Sequence, residues 1–175
     1  VRHHDYTLSV VEAVSGKNFA NFWLHGAHLF VEEAKMSKSK GNVIYPEDLM
    51  LQGFRSDQVR FFLIYEHYRK KLNFTYERLN AASRRMDVFK SIVQDLKDAA
   101  STKSSEKAKK LVFGIIPYFE SAMNDDLNVK AAFDGIFNIV LKLDNLKENK
   151  QLNPQDAKVA LEALERVDRV LRIVF

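Results

Sequence analysis

Lys35-Met36-Ser37-Lys38-Ser39-Lys40-Gly41-Asn42 is the stretch from which the rest of the chain is read. Lysines, two serines and a glycine share one short loop. A lysine ammonium is a compact point charge that suits phosphate. Serine hydroxyls add short donors, and Gly41 lets the backbone turn or approach a ligand where a Cβ would clash. A loop of this make-up can grip a polyphosphate leaving group as negative charge builds on it, and such electrostatic stabilisation is usually the largest catalytic term. The competing reading is a solvated basic loop. The flanking sequence decides between them.

Upstream, Leu8, Val10, Val11 and Val14 carry a helical apolar spacing that ends near Gly16. Phe19 to Val31 is rich in aromatic and β-branched residues, and predicts two short strands, about 20–25 and 28–32, around a turn at Gly26. The lysine loop then leaves the end of a strand, where α/β sheets place ligands. Downstream, Pro46 opens a short helix that Gly53 ends. Ser56 or Asp57 caps another, with Val59, Phe62 and Leu63 as its apolar stripe. Tyr68 to Phe74 reads as a connection.

From the N-cap Thr75 onward the pattern is all helix. Stripes predict helices at about 75–100, 105–124, 129–148 and from Pro154 onward, the last capped by Asn153. Pro117 should kink or split the second of these. Four amphipathic helices with short links argue a bundle.

The chain has 175 residues, 46% of them hydrophobic and 29% charged, enough for a real core. It has no cysteine, so it offers neither disulfides nor thiolate ligands. No apolar run reaches membrane-spanning length, so no membrane partner is expected. Val1 is followed by no signal-peptide pattern, and the chain reads as a piece of something longer. The net charge of +4 is uneven: residues 69–110 carry an excess of seven positive charges, while both flanks are slightly negative. Such a block suits a polyanion such as RNA, or a solvated lysine-rich helix face.

Lys35-Met36-Ser37-Lys38-Ser39 matches KMSKS, the second signature of class I aminoacyl-tRNA synthetases. Four further segments resemble the C-terminal half of the cysteinyl-tRNA synthetase family. His3-His4-Asp5-Tyr6-Thr7-Leu8-Ser9-Val10-Val11-Glu12-Ala13 is similar to its HHENEIAQSEA, and Phe22-Trp23-Leu24-His25 to its YWLH. Val59-Arg60-Phe61-Phe62-Leu63 to Tyr68-Arg69, then Leu72-Asn73-Phe74-Thr75, resemble its VRYFLLSGHYR and LNYS. Met123-Asn124-Asp125-Asp126-Leu127-Asn128-Val129-Lys130-Ala131-Ala132 is similar to its MDDDFNTPEA.

The resemblance implies a mainly α chain. Residues 1–68 would be the end of a class I Rossmann-type α/β catalytic domain with the KMSKS loop, and 69–175 a tRNA-binding four-helix bundle. It implies a cytoplasmic ligase that uses ATP, with Mg, to form cysteinyl-adenylate from cysteine, then moves the cysteinyl group to tRNA, in all expectation tRNA-Cys. Lys35, Met36, Ser37, Lys38 and Ser39 would bind ATP, with Lys38 and Lys35 catalytic and Lys38 first in stabilising pyrophosphate. Arg69, Lys70, Lys71, Arg78, Arg84, Arg85 and Lys90 would lie along the tRNA, mostly on phosphates. The family's zinc takes the first His and the last Glu of HHENE. His3 matches that His, but Thr7 stands at the Glu position, so the ligand set is incomplete and zinc is in question. The first class I signature, of His-x-Gly-His type, is not in this stretch, so the piece alone is expected to be inactive. Two other readings stand beside this one: a divergent paralogue with another amino acid or acceptor, and a non-catalytic RNA-binding protein. The intact loop favours a catalyst, whereas Thr7 favours the alternatives.

Overall fold

The computed structural model describes residues 2–175. The chain is mainly helical, with one small sheet. Helix α1 (Arg2–Ser15) stops where Gly16 turns left-handed, its N–H donating to the Glu12 carbonyl at 2.9 Å. Strands β1 (Leu29–Val31) and β2 (Ala34–Lys35) form an antiparallel hairpin across Glu32 and Glu33, whose φ values are 49° and 64°. Tight hairpins favour this paired left-handed backbone, though usually with glycine or asparagine. Asn73 holds it here: its amide accepts the Glu33 N–H at 3.0 Å and donates to the Glu33 carboxylate at 2.5 Å.

Asn73 lies in β3 (Leu72–Phe74), which runs parallel to β1 with Leu29 opposite Leu72 and Val31 opposite Phe74. Parallel strands need a crossover. Here it comprises α2 (Pro46–Leu51) and α3 (Ser56–Tyr65). The sheet order is β2-β1-β3, so β3 lies beyond residue 68 and still belongs beside the hairpin.

Three sequence expectations are corrected. Residues 20–25 form no strand: the segment is irregular, and Phe22 is 93% exposed. Its aromatic residues fit a pleated surface, but no neighbouring strand offers a ladder, and β-propensity has little force without one. The presumed connection Tyr68–Phe74 contains β3. The N-cap of α3 is Arg55, whose N–H donates to the Gln58 side chain at 3.0 Å, while Asp57 sits inside the helix and accepts the Gln58 N–H at 2.9 Å.

The remaining helices begin at side-chain caps, each worth about 1 kcal/mol. Thr75 accepts the Arg78 N–H at 3.1 Å and starts α4 (Tyr76–Asp95), which a 3-10 turn extends to Asp98. Ser105 starts α5 (Glu106–Asn124), Asn128 starts α6 (Val129–Glu148), and Asn153 starts α7 (Pro154–Leu171), accepting the Asp156 N–H at 2.7 Å. Helix α5 is continuous through Pro117. The carbonyl that the proline leaves unpaired is that of Phe113, an exposed residue that water can reach. Helices α5 and α6 approach closely at Gly135, where a Cβ would stand 1.9 Å from the Tyr118 ring.

Two apolar clusters share α3. Phe61 joins the larger one with Met86 and Phe89 of α4, Ile115 of α5, Phe133 and Ile136 of α6, and Leu164 of α7. Val59 and Phe62 join the smaller one with Val31, Leu49, Phe74 and Leu79. The Phe61 and Phe133 ring centroids are 4.5 Å apart, and Phe89 lies 5.0 Å from Phe133. Arg60, on the same helix, donates from Nε to the Leu171 carbonyl at 2.7 Å, closing the C-terminal end of α7. No described helix is long and apolar enough to cross a membrane.

Phe133 is 1% exposed at the meeting of α3, α4 and α6. Phe133→Ala is expected to cost about 3–5 kcal/mol, the usual range for a buried phenylalanine. Urea unfolding checks this, and a loss below about 1 kcal/mol would show that the junction does not carry the packing.

Candidate functional site

The KMSKS loop is a cationic crest on an apolar footing. Lys35 is the last residue of β2, and the Met36 N–H donates to the Leu29 carbonyl at 3.1 Å. Met36 and Ile44, at the two ends of the loop, pack half-buried against the smaller cluster. Between them Ser37 is extended, Lys38–Lys40 makes a 3-10 turn, and Gly41 ends it at φ 67°. The Gly41 N–H donates to the Lys38 carbonyl at 3.1 Å. Lys35, Lys38, Ser39 and Lys40 are exposed, and the hydroxyls of Ser37 and Ser39 lie 3.3 Å apart.

Asn42 staples the loop. Its Oδ1 accepts the Ser37 N–H at 2.9 Å, and its Nδ2 donates to the Lys35 carbonyl at 3.3 Å. One amide thus accepts from and donates to the opposite arm of the loop, which no charged side chain could do. Sequence reasoning gave Asn42 no role. The signal available was a donor–acceptor side chain just after a left-handed glycine.

The expected RNA-facing residues do not form one stripe. Arg78 and Arg85, about two helical turns apart, line a groove of 340 Å³ with Phe62, Tyr65, Glu66 and Leu72. Arg84 is exposed, but at about 100° per residue it points roughly 120° away from Arg78, and Lys90 points a similar angle to the other side. Several of the seven are held in ion pairs. Arg85 donates to Asp134 at 2.8 Å, and Lys90 pairs with Asp57. Arg69 grips Asp126 with Nε at 2.6 Å and Nη2 at 3.2 Å, its guanidinium 5.0 Å from the Tyr68 ring centre. Lys70 is exposed, and Lys71 lies 5.2 Å from the Phe30 ring centre.

The carboxylates respond to these partners. The Arg69 and Tyr68 hydrogen bonds hold Asp126 down at about 2. Burial pushes Asp134 up, but Lys130, Tyr65 and Arg85 together keep it below the usual range. Asp57 is likewise lowered, its partners Lys90 and Arg55 outweighing burial.

His3 and Thr7 are both exposed on α1 and lie one turn apart. A threonine hydroxyl is a poor zinc donor. His4, the adjacent candidate, shares a hydrogen bond with His25 at 2.7 Å between Nδ1 and Nε2, their rings stacked at 4.8 Å. No group of three or more metal-type donors comes together among the described residues. Among the described residues, the donors around His3 do not make a zinc site.

A family model described as tRNA synthetases class I (C) catalytic domain matches residues 1–84, and one described as DALR domain matches residues 118–175. A cysteine–tRNA ligase from Protochlamydia amoebophila is 31% identical across 98% of this chain and 36% of its own length. Ligases of the same name from Chlamydia pneumoniae and Koribacter versatilis are 35% and 34% identical, again across 98% of the chain. Residues 1–84 thus resemble a class I tRNA synthetase catalytic domain, and residues 118–175 a DALR domain. The chain spans little more than a third of the length of these relatives, 36% and 37% of the first two. The KMSKS loop and α3 lie within the catalytic-domain match, and α6 and α7 within the DALR match.

Asn42→Ala is expected to loosen the loop without unfolding the chain. Amide exchange at residues 37–42 should quicken at least about tenfold while the global unfolding free energy falls by under about 1 kcal/mol, the usual worth of exposed hydrogen bonds. Unchanged exchange would mean that Met36 and Ile44 hold the loop alone.

Proposed function

We propose that the chain is part of a cysteine–tRNA ligase. ATP and cysteine would give cysteinyl-adenylate and pyrophosphate, and the cysteinyl group would then pass to the 3′ end of tRNA, with tRNA-Cys the expected acceptor. Residues 1–68 form the closing part of the Rossmann-type catalytic domain, and 69–175 the RNA-binding bundle. Magnesium accompanies ATP, and the setting is cytoplasmic. The observation that carries this reading is the anchored cationic crest, in a chain aligned with cysteine–tRNA ligases over 98% of its residues.

Lys38 lies at the top of the 3-10 turn, exposed, where its ammonium can meet the oxygens of leaving pyrophosphate. Lys35 sits at the foot of the same loop, and the Ser37 and Ser39 hydroxyls are close enough to bind phosphate oxygens together. Met36 contributes by packing, which fixes the crest and lowers its reorganisation as charge develops. On the RNA side, Lys70, Lys71, Arg78 and Arg84 are the cations offered to phosphate. Arg69, Arg85 and Lys90 have carboxylate partners and serve the scaffold first.

Thr7 favours one second reading: a paralogue that activates another amino acid or charges another acceptor, since zinc–thiolate recognition lacks a ligand here.

In the full-length protein, Lys38→Ala is expected to slow adenylate formation about 10²-fold or more, the usual effect of losing one transition-state donor. ATP–pyrophosphate exchange measures it, and an unchanged rate would remove the loop from the mechanism. Charge reversal at Arg78 and Arg84 is expected to weaken tRNA binding and flatten its salt dependence by about one unit of slope per lost phosphate contact. Binding indifferent to both salt and reversal would contradict an RNA-facing α4.

A further inference from the structure

Two aspartates of the DALR-matched segment make the same kind of grip on the catalytic-domain side of the molecule. Asp126, in the turn between α5 and α6, accepts the Tyr68 hydroxyl at 2.6 Å and both nitrogens of the Arg69 fork. Asp134, one turn into α6, accepts the Tyr65 hydroxyl at 2.8 Å and the Arg85 guanidinium at 2.8 Å, with Lys130 at 2.7 Å. Each carboxylate therefore takes a tyrosine hydroxyl from the catalytic-domain match and an arginine, Arg69 within that match and Arg85 one residue beyond it. Bidentate arginine–carboxylate pairing fixes direction as well as distance.

The Asp126 grip leads straight to the KMSKS loop. Asp126 and Leu127 are successive non-glycine residues at φ 53° and 56°, a backbone that persists only where its surroundings over-determine it. Tyr68, which holds Asp126 through its hydroxyl, accepts the Ala27 N–H on its carbonyl at 2.8 Å. Residues 68–71 run directly into β3, and β3 pairs with β1 at Leu29. The Leu29 carbonyl in turn takes the Met36 N–H at the base of the loop. Each link is a hydrogen bond or a peptide bond, so a shift at the α5–α6 turn has a short route to the loop.

We infer that Asp126, braced by Asp134, is a positioning residue for the transfer step, setting the distance between the helices that hold RNA and the loop that handles ATP. This rests on the ligase reading. Adenylate formation needs only the catalytic side, whereas transfer needs the RNA end delivered to the adenylate. Misplacement by about 1 Å can cost about 10²-fold in such a step. Asp126 and Arg69 are exposed, and exposed ion pairs add little to stability, so the clasp acts through geometry and its removal leaves the chain folded.

The test uses the full-length protein with Asp126→Asn, Arg69→Gln and the double variant. Two steps are followed: amino-acid-dependent ATP–pyrophosphate exchange, and single-turnover transfer of cysteine to tRNA at saturating tRNA. Asp126→Asn should leave exchange within about twofold and slow transfer at least about tenfold, with the KM for tRNA nearly unchanged, since the loss is in positioning rather than binding. The double variant should be no worse than the poorer single, because both changes break one contact. Three results would overturn the inference while leaving the ligase intact: exchange and transfer falling together, transfer unchanged, or single losses that multiply in the double. A wild-type protein showing neither exchange nor transfer would instead overturn the ligase reading, and the clasp's role with it.

Discussion

The contact between Phe61 and Phe133 is the one on which the rest of the arrangement depends. Phe61 belongs to a helix that must serve two cores at once. Consecutive residues on a helix point about 100° apart, so Phe61 can enter the larger cluster while Phe62, its neighbour, enters the smaller one. The smaller cluster is the footing of the KMSKS loop, through Met36 and Ile44. The larger is the core that α4 to α7 enclose. Take away the aromatic junction and the loop and the basic helix lose their common frame. Around it Tyr65, Arg85 and Lys130 converge on Asp134, so an apolar contact that is not directional is supplemented by polar contacts that are.

A charged loop proposed to work on phosphate must resolve two opposed demands. Its cations must stand in solvent, where a triphosphate can reach them, and they must not be so mobile that ordering them consumes the binding energy. Here the conflict is resolved by separating the tasks along the sequence. Lys35, Lys38 and Ser39 are exposed, Met36 and Ile44 are anchored, and Asn42 ties the two arms together from within. The positive charge of the chain is distributed less simply than its sequence suggests. The excess at 69–110 is real, but Asp57, Asp126 and Asp134, drawn from other segments, occupy three of its cations. The remaining cations are split between Lys70 and Lys71 before β3, Arg78 and Arg84 on α4, and five lysines from Lys97 to Lys110.

Much of this was legible in the sequence, and what was not has identifiable physical causes. The caps Thr75 and Asn153 and the stripes of α4 to α7 could be read because capping and helical periodicity are local. The KMSKS string could be matched because its five residues are contiguous. Strand β3 could not, since three residues carry no periodicity and their partner lies some forty positions earlier. The false strand at 20–25 is the converse error: β-like residues without a neighbour to pair with. The roles of Asp126 and Asp134 could not be read, because their meaning lies in Tyr68, Arg69, Tyr65 and Arg85, which only the fold brings to them. Arg84 and Lys90 looked like companions of Arg78 until helix geometry separated them.

The family resemblance and the loop geometry both support the ligase reading, and Thr7 makes the identity of the amino acid its sharpest question. It is answered most directly by ATP–pyrophosphate exchange with the full-length protein, run separately with each of the twenty amino acids. The account predicts exchange with cysteine and with no other. Exchange with a different amino acid, or none from folded protein, would contradict it.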